Sequence, residues 1–344
     1  MLKRLFIRTS PFKLSPAWQA FSYTILIGWA IITLFPFYWL LVTAFKLPID
    51  VSQKPKYIPW VDFEPSTHAF DELLFSDVAG NFVTRPYMNT ISVGIISSIL
   101  ALLIGSTAAY ALLRFEYHPK PGLIATFALC IGLGVFLYAQ GVPWIVSTVV
   151  AVAVFILVVQ TIGQRFKGSM DNSDIAFWLV SQRMLPPVAV IVPIYVMYQQ
   201  LGLLNTRPGL IITYTAANLP LVVWFMRDYF QSIPVELEES AFIDGASRYQ
   251  VFWQIILPLA VPGLIATFII VLIFAWNEYT FAVFLTGADT QTMPVLVSAQ
   301  NATRGPQWWN ISLLVLMMVG PIVLLSFLLE RFIARGLLLG AVKG

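Results

Sequence analysis

The sequence predicts an all-α fold: a polytopic transmembrane helical bundle of about eight spans. Three observations carry this. Of 344 residues, 58% are hydrophobic and only 11% charged, against about 25% charged in ordinary soluble domains. Apolar runs of the length needed to cross about 30 Å of hydrocarbon recur along the chain. Lys and Arg gather in alternate connections between those runs.

The apolar runs extend over approximately Phe21–Phe45, Thr90–Leu113, Leu123–Gln140, Pro143–Ile162, Ala176–Tyr198, Leu210–Met226, Gly263–Phe284 and Ile311–Leu329. The first begins near Phe21 and is long enough to span, so no cleavable leader is expected. The third and fourth are joined by about two residues around Gly141 and read as a tight helical hairpin, either arm of which can also be re-entrant. Pro186, Pro187 and Pro193 interrupt the fifth and are expected to kink or unwind it.

With the amino terminus placed in the cytoplasm, inner segments carry thirteen basic residues: Lys3, Arg4, Arg8, Lys13, Arg114, Lys120, Arg165, Lys167, Arg227, Arg248, Arg331, Arg335 and Lys343. Outer segments carry six: Lys46, Lys54, Lys56, Arg85, Arg207 and Arg304. Arg183 falls within a span. The first outer loop, 46–89, also holds Asp50, Asp62, Glu64, Asp71, Glu72 and Asp77. This bias puts both termini inside and requires an even number of spans, which eight satisfies.

Composition also excludes classes. Cys130 is a lone thiol in an apolar run, and a small hydrophobe is its plain reading. His68 and His118 are far apart, and no Cys/His spacing suits a metal. No phosphate-cradling Gly-x-x-x-x-Gly-Lys-Ser/Thr occurs, so ATP hydrolysis is not expected of this chain. A secondary transporter needs several intramembrane carboxylates and inverted repeats. Glu278 is essentially the one candidate, and no repeat is visible. A membrane-embedded enzyme would need a polar catalytic cluster, which is missing. Nothing points to nucleic acid.

Between the sixth and seventh runs, residues 232–258 are too polar to span and too patterned to be slack. Pro234 suits a first helical turn. Glu236, Glu238 and Glu239 crowd that turn, where the helix dipole favours negative charge. Gly245 falls at a left-handed C-terminal cap. Ser247 and Gln250 have capping-box spacing and open a second helix. Val251, Phe252, Ile255 and Ile256 form its apolar stripe, and Pro258 closes it. Two short amphipathic helices joined by a sharp turn either lie on the membrane or dock into a partner protein. Acids on the first helix favour docking, with Arg227 and Arg248 the only bases nearby.

The stretch resembles the signature loop of importer permeases of the ATP-binding-cassette superfamily. Its pattern is Glu-Ala-Ala, three residues, Gly, nine residues, Ile, one residue, Leu-Pro. Glu239, Ala241, Gly245, Ile255, Leu257 and Pro258 fall in register, with Ser240 in place of the middle Ala. Phe177-Trp-Leu-Val-Ser-Gln-Arg-Met-Leu-Pro-Pro187, Leu201-Gly-Leu-Leu-Asn-Thr206 and Ala275-Trp-Asn-Glu-Tyr279 resemble the maltose-transporter inner-subunit-like family of carbohydrate permeases. Arg114-Phe115 and Arg165-Phe166-Lys167-Gly168 look like two halves of one family segment. The hairpin around Gly141 is an insertion between them into the usual six-span core.

The resemblance implies a type I importer permease fold in a bacterial inner membrane. It divides the chain into a cytoplasmic segment 1–20, two spans 21–113, the inserted hairpin 114–168, a permease core 169–330 with a coupling loop 227–262, and a tail 331–344. It implies a second permease subunit, two ATPase subunits that hold the ATP and Mg2+, and an extracytoplasmic substrate-binding protein. That protein would contact loops 46–89 and 285–309. Glu239, Ser240, Ala241, Asp244, Gly245, Arg248, Ile255, Leu257 and Pro258 become the candidate contacts to the ATPase. The cargo implied is a sugar or sugar derivative, with a polyol or glycerol phosphate as the alternative. Polar groups inside a bilayer are functional suspects, which makes Arg183, Asn277 and Glu278 candidates for the cargo path. Aromatic faces suit sugars, which adds Trp276, Tyr279 and Trp224.

Overall fold

The computed structural model describes residues 15–75, 82–166, 168–301 and 305–341. Lys3, Arg4, Arg8, Lys13, Asp77, Lys167, Arg304 and Lys343 therefore lie outside the described residues, and Arg331 and Arg335 lie where only the backbone is described. The long helices are α1 (Pro16–Ala44), α2 (Thr84–Arg114), α3 (Pro121–Ala139), α4 (Trp144–Thr161), α5 (Asn172–Ser181), α6 (Pro187–Leu201) and α7 (Arg207–Gln231). They continue as α8 (Glu236–Ile243), α9 (Arg248–Leu259), α10 (Val261–Trp276), α11 (Thr280–Leu285), α12 (Met293–Ala299) and α13 (Trp308–Ala341). Among the described residues the only β pairing is an isolated bridge between Pro59 and Phe63.

Six helices are long and apolar enough to cross a membrane, and eight if each of two bent pairs counts as one span. The expected fifth span, Ala176–Tyr198, is not continuous. Its two parts, Asn172–Met184 and Pro187–Leu201, are bent by 89°. The adjacent prolines explain the break: each lacks an N–H, and each pushes its predecessor out of the helical region. Leu185 and Pro186 are extended accordingly. Pro193, by contrast, is carried inside α6.

The expected seventh span, Gly263–Phe284, also differs. Its helix stops at Trp276, and Asn277–Tyr279 separate α10 from α11. At its amino-terminal end α10 pairs with α9 across a 74° bend. Pro258 does not close α9 as expected. The stretch Val251–Ile256 opens into a π-helix, and Leu257–Leu259 remain helical. The wider turn accommodates the main-chain donor that Pro258 lacks. The bend falls instead at Ala260, just before Pro262 at the start of α10.

The chain divides into two compact units, residues 1–91 with 286–325 and residues 92–285 with 326–344. In the first, α1 buries only 6% of its apolar window, so its surface is suited to lipid. The start of α2 is laced to the segment before α12. Arg85 pairs with Asp289 at 2.6 Å, Asn89 donates to the carbonyls of Asp289 and Gln291, and the Met293 amide donates to Thr90. Asn310 and Trp309, at the start of α13, donate to Glu72.

The second unit holds two buried clusters. One gathers Tyr110 from α2, Met226 and Phe230 from α7, Ala241 from α8, and Val251, Phe252 and Ile256 from α9. The other gathers Val93, Ile191, Tyr198, Leu210, Tyr214, Ala275, Phe281 and Leu285. Thr206 caps α7 by accepting the Gly209 amide, and the Asn205 amide donates to the Leu285 carbonyl. The Leu201–Thr206 stretch is thus tied to the end of α11.

The hairpin α3–α4 forms as expected. Gly141 turns it with φ +87°, a conformation that favours glycine. Cys130, Ser147 and Ala151 are buried along its seam, and they make up the 6% and 11% of the two arms' apolar windows that are buried. Its root is closed by polar contacts. Asn172 donates to the carbonyls of Leu112 and Phe115 and accepts the Tyr117 amide at 2.9 Å. The Met170 amide donates to the Pro119 carbonyl at 2.9 Å, and Lys120 donates to that of Gly163. Since Pro119 and Met170 already touch, a chain lacking residues 121–165 needs only a short linker. That variant is expected to insert at a level near the parent's, as read by membrane fractionation; loss of the inserted protein would show that the hairpin is needed for the core.

Candidate functional site

The segment 232–258 folds into the bent helix pair that the sequence pattern predicts, with its caps and turn in place; Pro234, expected in the first helical turn, instead precedes the Val235 cap, and Pro258 is carried within α9. Val235 precedes α8, and Glu236, Glu238 and Glu239 occupy its first turn. At the other end the Ala246 amide donates to the Ala241 carbonyl and the Gly245 amide to that of Phe242. This pair of bonds is a Schellman motif. Gly245 sits at φ +86° with nothing within 4 Å of where a Cβ would be, so only backbone strain opposes a larger residue there. Ser247 and Gln250 form a reciprocal capping box.

The two faces of this element differ. Ala241, Val251, Phe252 and Ile256 are buried, with Ile255 and Leu257 half-buried against them. Glu239, Ser240, Asp244, Gly245, Arg248 and Pro258 are exposed. Beside these polar groups stand exposed apolar side chains, Ile243 (86% exposed) and Tyr249 (73%) above all. The Arg248 guanidinium lies 4.9 Å from the Phe115 ring centre, which stiffens an otherwise long side chain.

Sequence reasoning missed the residue that fastens the element. Glu238, adjacent to Glu239, is only 4% exposed. Its carboxylate accepts hydrogen bonds from the Tyr110 hydroxyl at 2.7 Å and from Arg114 Nε at 2.6 Å. Arg114 also donates to the Ile233 carbonyl. The rings of Phe230 and Phe252 pack on Tyr110 at 5.9 and 4.9 Å. The available signal was the spacing of Tyr110 and Arg114, which puts two polar side chains on one face at the end of an apolar helix.

A second polar group gathers at helix breaks. Arg183 stacks 4.5 Å from the Phe274 ring centre and donates to the Ala217 carbonyl and to the Asn218 side chain, both at 3.3 Å. Glu278 exerts a Coulombic pull on it. Glu278 also accepts the Phe281 amide at 3.0 Å, capping α11, while its own carbonyl accepts the Tyr214 hydroxyl. Asn277 is exposed and donates to the Ile273 carbonyl. Tyr279 is exposed. Trp276 is instead buried, packed close to Gly94. Trp224 is half-exposed and stacks on Phe225 at 5.4 Å. The site therefore brings together Arg183 and Glu278 and adds Asn218, which the sequence did not single out.

The profile of the family described as "Binding-protein-dependent transport system inner membrane component" matches residues 133–338, which include the bent helix pair and the second polar group. The chain belongs to that family. This inner membrane component is 31% identical to the inner membrane ABC transporter permease protein YcjP of Escherichia coli, over 91% of this chain and 92% of that one. It is 28% identical to the trehalose transport system permease protein SugB of Mycobacterium tuberculosis, covering 93% and 95% of the two chains. Identity is also 28% to the trehalose/maltose transport system permease protein MalG of Thermococcus litoralis, covering 92% and 93%. In fold it is similar to a chain of a bacterial ABC transporter that imports the acidic polysaccharide alginate, with a TM-score of 0.61 over 94% of this chain and 99% of that one, at 20% identity. The family and the multi-pass helical membrane architecture expected from the sequence are thus both found.

The permease component's buried charge pair makes a double-mutant test possible. Arg114→Met leaves the Glu238 carboxylate buried without its cation, a loss of about 3–5 kcal/mol for pairs of this kind. Arg114→Met with Glu238→Leu removes both charges and is expected to be milder than Arg114→Met alone. Thermal unfolding in detergent, with proteolysis of the 232–258 segment as a local readout, checks the order; a double variant as damaged as the sum of the singles would mean that the pair carries no coupling.

Proposed function

We propose that this permease component is a pore-forming subunit of an ATP-driven importer for a sugar or sugar derivative, and that the bent helix pair within 227–262 receives the motion of a separate ATPase. The observation that carries this reading is the two-faced rigidity of the element. Its inner face is bonded to α2 through Glu238, while Glu239, Asp244 and Arg248 with Ile243 and Tyr249 stand free on the outer face. Exposed apolar side chains ringed by charge suit a protein cleft better than water. In the docked state Glu239 is the charged contact, Ser240 allows close approach, Gly245 makes the turn, and exposed Pro258 borders the contact. Ala241, Ile255 and Leu257, expected as contacts, instead hold the two helices against the core.

The same reading gives two ATPase subunits that bind ATP and Mg2+, a second permease subunit, and a soluble receptor outside. With the positive residues inside, both termini and the loop 227–262 face the cytoplasm. Segments 46–89 and 285–309 then face the receptor; their mutual hydrogen bonds make them one outer element in this reading. The segmentation follows: 1–20 and 331–344 as cytoplasmic ends, 21–113 and 169–330 as the importer core, and 114–168 as an addition to it.

Carbohydrate cargo is supported by the relatives. Two are permeases for trehalose or for trehalose and maltose, one is a diacetylchitobiose uptake permease, and one is a sulfoquinovosyl glycerol permease. The last also keeps a glycerol-linked cargo within the class. Arg183, Asn277, Glu278 and Tyr279 are proposed to face the cargo path at the two helix breaks. Discontinuous helices supply free backbone groups beside a path without exposing them to lipid. Trp276 backs that group from the core, and Trp224 is its more distant aromatic candidate.

Glu239→Lys is expected to abolish receptor-stimulated ATP hydrolysis in the assembled complex, by at least about tenfold if a charge-assisted contact is lost, with insertion unchanged. Normal stimulation would count against docking at this surface. Cargo class is tested separately: with the soluble receptor present, disaccharides are expected to raise ATP turnover of the complex. Stimulation by a non-carbohydrate ligand and by none of the sugars would overturn the carbohydrate assignment and leave the coupling assignment standing.

A further inference from the structure

The loop after α1 folds into a small rigid ring with an apolar tip. Asp62 accepts the amides of Tyr57 and Ile58 at 2.8 and 2.9 Å, and its own amide donates to the Ile58 carbonyl. The Trp60 amide donates to the Phe63 carbonyl at 2.8 Å. Trp60 sits at φ +60°, which is unusual for a bulky side chain. This rigid turn holds Trp60 (81% exposed) and Val61 (76%) outward, with Tyr57 and Ile58 half-exposed beside them.

The nearest charges are already used. Lys56 pairs with Asp50, and Lys46 is buried between the Trp39 and Phe63 rings while donating to the Lys56 carbonyl. Lys54 and Glu64 flank the tip in sequence without interrupting it.

The ring is also placed in depth. The Tyr38 hydroxyl donates to the Tyr57 carbonyl at 2.7 Å, and the Trp39 and Tyr57 rings lie 5.3 Å apart. The loop therefore folds back along α1 to a level about 8 Å short of its end. The 29 residues of α1 measure about 43 Å, against about 30 Å of hydrocarbon. Each end then stands about 6–7 Å beyond the hydrocarbon, so Tyr38 and Trp39 lie at its boundary with the headgroups. The tip continues the exposed apolar surface of α1 at that depth.

We propose that Tyr57, Ile58, Trp60 and Val61 form an interfacial wedge that inserts into the lipid headgroup boundary and fixes the height and tilt of α1. The occupant of this surface is lipid, because Tyr57 joins the tip to Tyr38 and Trp39 on a helix that buries only 6% of its apolar window, and because an amphipathic aromatic ring is favoured at that boundary. The wedge holds for whichever leaflet this end of α1 faces, it does not depend on the cargo or on the ATPase contact, and it leaves the receptor the remainder of 46–89, without residues 57–61.

The full-length chain carrying Cys130→Ser and Trp60→Cys, labelled with an environment-sensitive fluorophore, tests this in lipid nanodiscs, which leave both membrane faces open to solutes. Quenching by lipids with a nitroxide near the headgroup is expected. Iodide quenching is expected to be roughly fivefold weaker than for the same label at Ile243→Cys, as for an apolar surface set below the headgroups. Val61→Cys gives the same reading should Trp60→Cys fail to fold. Iodide quenching equal to that at Ile243, with no response to nitroxide lipid, would overturn the proposal and make the tip a surface for an aqueous partner.

Discussion

A single buried carboxylate holds the bent helix pair of the second unit to the end of α2. Glu238 reaches from α8 to Tyr110 and Arg114 on α2, and Arg114 closes back onto the Ile233 carbonyl at the end of the connection from α7. Three consecutive elements are thereby fixed to one helix end. The arrangement is costly to leave half made, since a buried charge without its partner is penalised far more than the pair is rewarded. That asymmetry is what makes the geometry specific. The aromatic packing of Phe230 and Phe252 on Tyr110 orients the hydroxyl so that the carboxylate meets it at hydrogen-bond distance.

The same fixed face explains how the exposed face can carry polar groups without the backbone moving. The Schellman motif and the capping box each satisfy main-chain groups that a sharp turn would leave unpaired. The turn between α8 and α9 therefore needs no partner to keep its shape. A preformed surface loses less conformational entropy on docking than one that must order itself. Below the turn, the widened stretch Val251–Ile256 and the bend at Ala260 redirect the chain into α10. α9, the second helix of the proposed coupling loop, is thus joined to α10 across one bend.

Much of this was legible in the sequence, for identifiable reasons. Capping and turn chemistry are local, so Ser247, Gln250 and Gly245 announced their roles within a few residues. Span length is a composition property, so the long helices and the hairpin around Gly141 were readable as well. What failed was anything that depended on a distant partner. Glu238 and Glu239 are neighbours with the same side chain, and only Tyr110 and Arg114, more than a hundred residues away, make one a buried anchor and the other a free charge. Lys46 was counted as an outer-loop cation, but the rings of Trp39 and Phe63 enclose it. Burial lowers its affinity for a proton, because the charged form loses water. Pro258 was read as a stop because the π-helical alternative has no sequence signature of its own. Pro186 and Pro187 mark a kink or an unwinding of the fifth span, and only the structure gives its size: their combined loss of two donors makes a near right-angle break.

The hairpin leaves the chain close to this constrained site, a few residues after Arg114, the residue that holds Glu238. A sharp departure there would leave the last carbonyls of α2 unpaired. Asn172 covers them: its amide group donates to the carbonyls of Leu112 and Phe115, and its oxygen takes the Tyr117 amide. The Pro119–Met170 bond then brings the two ends of the hairpin together. Phe115 links that root to the exposed face of the bent pair, since its ring supports Arg248. A strain placed on the hairpin root would reach the proposed coupling surface through that ring.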